Sequence, residues 1–162
     1  MRPIITDEDN EFMQMAIDVS AEHMRAREGG PFGAVIVRRG EVLGRGWNEV
    51  TSANDPTAHA EVNAIRAAAK ALENFELSGC VLYSSCEPCP MCLAAAYWAR
   101  IERIVYAATR VDAAAIGFDD AAIYDELAVP LSSRKLPIQQ VLRDKAVVVF
   151  DEWRRMPDKT PY

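Results

Sequence analysis

No apolar run in this chain approaches the roughly 18 residues that a membrane-crossing helix needs, so a membrane-spanning protein is not expected. Basic clusters are also scarce: the densest spots are the pairs Arg38, Arg39 and Arg154, Arg155. Proteins that hold nucleic acid carry a basic face, because phosphate contacts drive their affinity. With 18 basic against 24 acidic residues and a formal net charge of -6, nucleic acid is not the expected partner. Linkers, repeats and low-complexity tracts are missing too. The opening ten residues are polar and acidic rather than signal-peptide-like, and a cytoplasmic location is the expectation. Histidine occurs only twice, so a histidine that falls within a motif is not drawn from a crowd. What remains is 162 residues, half of them apolar and 26% charged, the profile of one soluble globular domain able to bury a core.

The four cysteines, at 80, 86, 89 and 92, are unevenly placed. Cys86, Cys89 and Cys92 recur every third residue through Cys86-Glu87-Pro88-Cys89-Pro90-Met91-Cys92. Disulfides persist in oxidising compartments; in a chain without a secretory leader such a cluster reads as metal or redox chemistry.

The periodicity places this cluster among regular elements. Apolar residues recur at helical spacing from Asp7 to about Glu28, with Thr6 as N-cap and Gly29-Gly30-Pro31 as the stop. Residues 34–37 and 41–47 read as a hairpin turning at Arg39-Gly40. Asp55-Pro56 is a cap-and-proline start for an alanine-rich helix running to about Leu72, and Cys89-Pro90 repeats that start for a helix to Trp98. Short apolar runs at 81–84 and 104–107 read as strands. After Gly117 the expectation is a short helix over 119–127, a strand near 138–142 and a last helix over 144–156. The order implies an α/β fold, a three-layer α/β/α sandwich around a mixed sheet of about five strands.

The chemistry concentrates in His59-Ala60-Glu61 and in Pro88-Cys89-Pro90-Met91-Cys92. One imidazole and two thiolates are good zinc ligands, and three protein ligands leave the fourth tetrahedral position open for water. Zinc lowers the pKa of such a water to about 7. Cys89 and Cys92, as N-cap and third residue of a helix, share one face, and the positive end of that helix favours thiolate. Glu61, beside His59 at a helix start, is placed to take a proton from water and deliver it to a leaving ammonia. Two plainer arrangements use the same residues. A closed structural site would add Cys86 as fourth ligand in a non-catalytic binding module but has no use for Glu61. A redox pair of Cys89 and Cys92 leaves both His59 and Glu61 unexplained. Otherwise Cys86 reads as a buried or supporting thiol and Cys80 as a small strand-end apolar residue.

The spacing His-x-Glu…Pro-Cys-x-x-Cys is the signature of zinc nucleobase deaminases, and here the sequence resembles the bacterial guanine deaminases of the cytidine-deaminase-like superfamily. The resemblance runs from about Gly30 to Tyr162. It is carried by Asn54-Asp55-Pro56-Thr57-Ala58-His59-Ala60-Glu61-Val62, Ser85-Cys86-Glu87-Pro88-Cys89-Pro90-Met91-Cys92, Tyr97-Trp98-Ala99-Arg100 and Ala115-Ile116-Gly117-Phe118-Asp119-Asp120. It implies a cytidine-deaminase-like fold, one Zn2+ per subunit on His59, Cys89 and Cys92, and hydrolysis of guanine to xanthine and ammonia with Glu61 as proton shuttle. It implies that Asn48 bonds the purine ring, that Ala60 offers its backbone N–H to the carbonyl and that Phe32 stacks on the base. Asp120 and Tyr162 would contact the amino-bearing edge or help expel ammonia, with Asp119 either beside them or capping the following helix. Asn48 can equally be a turn residue, Phe32 core and Tyr162 a frayed end. The resemblance further implies a homodimer in which a C-terminal segment, about 130–162, is exchanged between subunits. Guanosine, another purine nucleoside or another aminated ring is the alternative substrate; a tRNA adenosine is disfavoured by the charge.

Overall fold

The computed structural model describes residues 4–162, which divide into two compact units, one running to Asp120 and the other Ala121–Tyr162. The first unit opens with helix α1 (Asp7–Arg25), capped by Thr6 in a reciprocal capping box with Asp9. The helix stops three residues before the expected Glu28, where Arg27 turns into the left-handed region at φ 62°. Strands β1 (Gly33–Arg38) and β2 (Glu41–Trp47) form the predicted hairpin. Its turn residues Arg39 and Gly40 both have positive φ, 53° and 78°, the geometry whose twist suits a two-residue hairpin loop.

A four-residue helix α2 (Val50–Ala53) precedes α3 (Ala60–Leu72). Asp55-Pro56 therefore does not start the long helix. Asp55 instead accepts hydrogen bonds from the Thr57 amide and hydroxyl at 2.8 and 2.7 Å, closing a local turn that delays helix entry to His59, the true N-cap. Strand β3 (Val81–Cys86), helix α4 (Pro90–Trp98), strand β4 (Arg103–Ala108) and helix α5 (Arg110–Ala115) complete the unit.

The sheet order is β2-β1-β3-β4, with β3 and β4 parallel and the other neighbours antiparallel. Alternation along the strands feeds two separate cores. Ala34, Ile36 and Leu82 point to one face, against Ala60, Ala64 and Ala68 of α3 and Ala96 of α4. Val35, Val37 and Tyr83 point to the other, against Phe12, Met15 and Ala16 of α1. Both faces are thus covered by helices, which gives the three expected layers. On β2, Gly46 lets α3 sit directly on the sheet: a Cβ there would lie 2.2 Å from the Ala60 carbonyl oxygen and 2.4 Å from the Ala64 nitrogen.

Four strands are found among the described residues, not about five. The segment expected as a strand near 138–142 is irregular and exposed. Its neighbours in the second unit are helices α6 (Ala121–Ala128) and α7 (Arg143–Arg155), with a short 3-10 turn at Leu131–Ser133. None of the residues of this unit is buried.

Candidate active site

Strand register brings the informative residues to one end of the sheet. Gly33 at the start of β1 faces Trp47 at the end of β2, Ala34 faces Ser84, and Cys86 at the end of β3 faces Ala108 of β4. Both α3 and α4 begin at that end, with His59 and Cys89 as their N-caps in extended backbone conformation. Neither side chain makes a capping hydrogen bond to its helix backbone, so both are directed to each other and to Cys92 instead. Cys92 then follows as the third residue of α4, one turn from Cys89.

The three donors form a compact triangle: His59 Nδ1 lies 3.6 Å from Cys89 Sγ and 3.4 Å from Cys92 Sγ, and the two sulfurs are 3.6 Å apart. Zinc–sulfur and zinc–nitrogen bonds of about 2.3 and 2.0–2.1 Å meeting at tetrahedral angles require edges of about 3.6–3.8 Å. The residues present fit the ion. Without metal, the Cys89 thiol is drawn down to about 4, first by its hydrogen bond with Cys92 and then by that with His59. The Cys92 thiol is held well above its usual range by the same Cys89 contact and by burial. The contact with Cys89 also raises the His59 imidazole. His59, Cys89 and Cys92 would hold a divalent cation in place of the proton the two sulfurs share, with both sulfurs then thiolates.

Glu61 stands beside this triangle without joining the ligand set. It is buried, and its Oε2 accepts from Cys92 Sγ at 3.3 Å while its Oε1 accepts from the Ser84 hydroxyl at 3.2 Å. Burial raises its carboxyl above the ordinary range. Cys86 is likewise outside the ligand set: its thiol is buried, directed to the Thr109 carbonyl at 3.6 Å and pushed up to about 11 by burial. A closed site with Cys86 as fourth ligand is not formed. Cys80 is fully buried in the core under α3.

The other predicted residues of the first unit surround the same end of the sheet. Asn48 is buried, and its Oδ1 accepts from the backbone amides of Gly30 at 3.2 Å and Val50 at 3.3 Å. Those two bonds tie the side chain to the loops on either side of it. Phe32 is half-buried and meets Phe118 edge-on, ring centres 4.9 Å apart at 88°; sequence reasoning singled out Phe32 but not its partner. Ala60, as the first helical residue, has an N–H that no intrahelical acceptor can reach. Asp120 is half-buried, and its carboxyl is raised by burial and then by the Cys89 thiolate. Asp119 is exposed just ahead of α6. Tyr162 is exposed and belongs to the second unit.

Comparison with known proteins agrees with this site. Residues 6–108 match the family model described as the cytidine and deoxycytidylate deaminase zinc-binding region. The chain is 49% identical to guanine deaminase of Bacillus subtilis (strain 168) over 151 residues, 93% of this chain and 97% of that one. The X-ray structure of guanine deaminase from Bacillus subtilis superposes with a TM-score of 0.92 at 47% identity, covering 98% of this chain and 99% of the other. A tRNA-specific adenosine deaminase of Agrobacterium fabrum is 45% identical, but over 101 residues only, 62% of this chain and 66% of that one. The chain belongs to the zinc-binding cytidine and deoxycytidylate deaminase family and is a zinc-dependent hydrolytic deaminase.

Proposed function

We propose that this deaminase acts on free guanine, converting guanine and water to xanthine and ammonia. The observation that carries the reading is the extent of likeness: the similarity to guanine deaminase spans 93% of this chain and 97% of the other, whereas those to tRNA-specific adenosine deaminases cover 60–75% of this one. Zinc held by His59, Cys89 and Cys92 supplies Lewis acidity and makes water reactive near neutral pH. Glu61 Oε2 accepts a proton from the attacking water and passes it to the departing amino nitrogen, so the leaving group departs as ammonia rather than as an amide ion. A carboxylate raised by burial suits both directions of that transfer.

In the same reading the Asn48 amide donates to the purine ring, Phe32 stacks on it, and the Ala60 N–H binds the ring carbonyl. Asp120 accepts from the amino-bearing edge, with Asp119 and Tyr162 completing the pocket. A buried acceptor facing donors on guanine discriminates against rings that lack them, because the acceptor is then left unpaired. We place one zinc ion in each subunit of a homodimer. Residues from about 130 to 162 are exchanged between subunits, a reading supported by the apolar side chains that the second unit leaves exposed, Val141, Phe150 and Trp153 among them. A reducing cytoplasm suits the four free thiols. Ammonia release from guanine, guanosine, cytidine and tRNA measured side by side tests the substrate: guanine is turned over and the rest are not. Preference for guanosine or tRNA would overturn the reading.

A further inference from the structure

Ser84 occupies a position where packing alone calls for an apolar residue. It lies in β3, paired on one side with Ala34 of β1 and on the other with Tyr106 of β4, and it faces α3 on the same side of the sheet as Leu82. It is 2% exposed. Burying a hydroxyl there is costly unless it is hydrogen-bonded, and its side-chain bond is the one to Glu61 Oε1, at 3.2 Å. We propose that Ser84 is a positioning residue for the proton-transfer step, holding Glu61 Oε1 so that Oε2 is the oxygen turned toward the metal ligands. The inference rests on the role given to Glu61 above.

The geometry separates the two carboxyl oxygens. Oε1 is tethered to a strand with neighbours on both sides, and Oε2 lies 3.3 Å from Cys92 Sγ. The tether is compatible with both states of the carboxyl, since Oε1 accepts from Ser84 whether or not Oε2 carries a proton. A side chain so held keeps its aim through the proton's arrival and departure, and productive geometry is lost with shifts of about 1 Å. Without the hydroxyl, the carboxyl can rotate about its last torsion, a broad and soft one.

The test compares Ser84→Ala and Ser84→Thr with the unaltered protein, each zinc-loaded. Ser84→Ala is expected to retain one zinc per chain and a KM for guanine within about twofold, while kcat falls about tenfold to a hundredfold, the range for one hydrogen bond to a charged group. Ser84→Thr, which keeps the hydroxyl, is expected to recover kcat to within about threefold. Crystal structures of the unaltered protein and Ser84→Ala supply a readout apart from turnover: the Glu61 carboxyl is expected to rotate or split into two conformers in the variant. A Glu61 side chain unmoved in that variant, unchanged kcat, or a loss traced to zinc and not restored by threonine overturns the proposal. If the unaltered protein itself fails on guanine, the substrate reading falls, while the position of Glu61 still decides the role of Ser84.

Discussion

Glu61 and Asp9 are both buried carboxyls, and their surroundings give them opposite properties. Glu61 has one hydroxyl and one thiol as partners, and burial raises it. Asp9 accepts from Thr6 N at 2.9 Å and from the Tyr83 hydroxyl at 2.7 Å, and forms an ion pair with Arg103. The Arg103 contact holds it far below its ordinary value of 3.8 despite burial. The first is suited to moving a proton and the second to never accepting one. Replacing Glu61 by Gln is therefore expected to lower kcat by about 10²–10⁴-fold with zinc retained, whereas His59→Ala loses the metal. Ammonia release and zinc content measured on the same preparations separate the two effects.

For Asp9 the sign follows from its depressed value. The unfolded chain binds the proton more readily than the folded one, so the carboxylate's contribution is present above about pH 4 and is lost as the pH falls further. Asp9→Asn is expected to cost about 3–5 kcal/mol near neutral pH, since it leaves Arg103 partly buried without its counter-charge. The difference from the unaltered protein should shrink on acidification. Denaturant unfolding at pH 7 and below pH 4 checks this; a pH-independent difference would count against it.

Among the elements, α3 carries the most consequence for the site, because its first turn holds His59, Ala60 and Glu61 together. Its alanines at 60, 64 and 68 form one stripe at helical spacing, and β2 receives that stripe with no side chain at Gly46. The atoms a Cβ would meet there are helix backbone, which cannot swing aside as a flexible side chain could. Gly46→Ala is expected to lift the start of α3 from the sheet, costing about 1–3 kcal/mol and weakening zinc retention as His59 moves from the thiols. A thermal melt and a chelator competition would register both; a variant with native stability and zinc affinity would show that α3 is placed by other contacts. The start of α4 was easier to read, because Cys89-Pro90 combines an N-cap with a residue suited to N1. Asp55-Pro56 carries the same local signal and yet begins only a turn, since the Asp55 side chain is taken up by Thr57.

At the scale of the molecule, the two units differ in how they treat their apolar residues. The first encloses two cores on opposite faces of the sheet. The second leaves Leu136, Val141, Leu142, Val149 and Phe150 more than half exposed. Under the exchanged-segment reading proposed above, these side chains are covered by the partner subunit. Light scattering is expected to give twice the 18.0 kDa of one chain, and Phe150→Glu to shift the mass toward one. A monomeric unaltered protein would remove the exchanged-segment reading.

The sequence by itself determined the donor set, because His59, Cys89 and Cys92 are chemically fit for zinc and only Glu61 beside them argues for a reactive rather than a closed site. It also determined most of α1, the hairpin and α4, where caps, turns and periodicity are local signals. The tertiary structure decided what depends on residues far apart in the chain. It directed Cys86 toward the Thr109 carbonyl instead of the ligand set, delayed α3 to His59, and left the segment at 138–142 outside the sheet. It also supplied the Ser84 contact to Glu61 across 23 residues and that of Asp9 to Arg103 across 94. The physical reason is that a cap or a metal-binding spacing is written within a few residues, whereas the partner of a buried polar atom is fixed by strand register and helix placement.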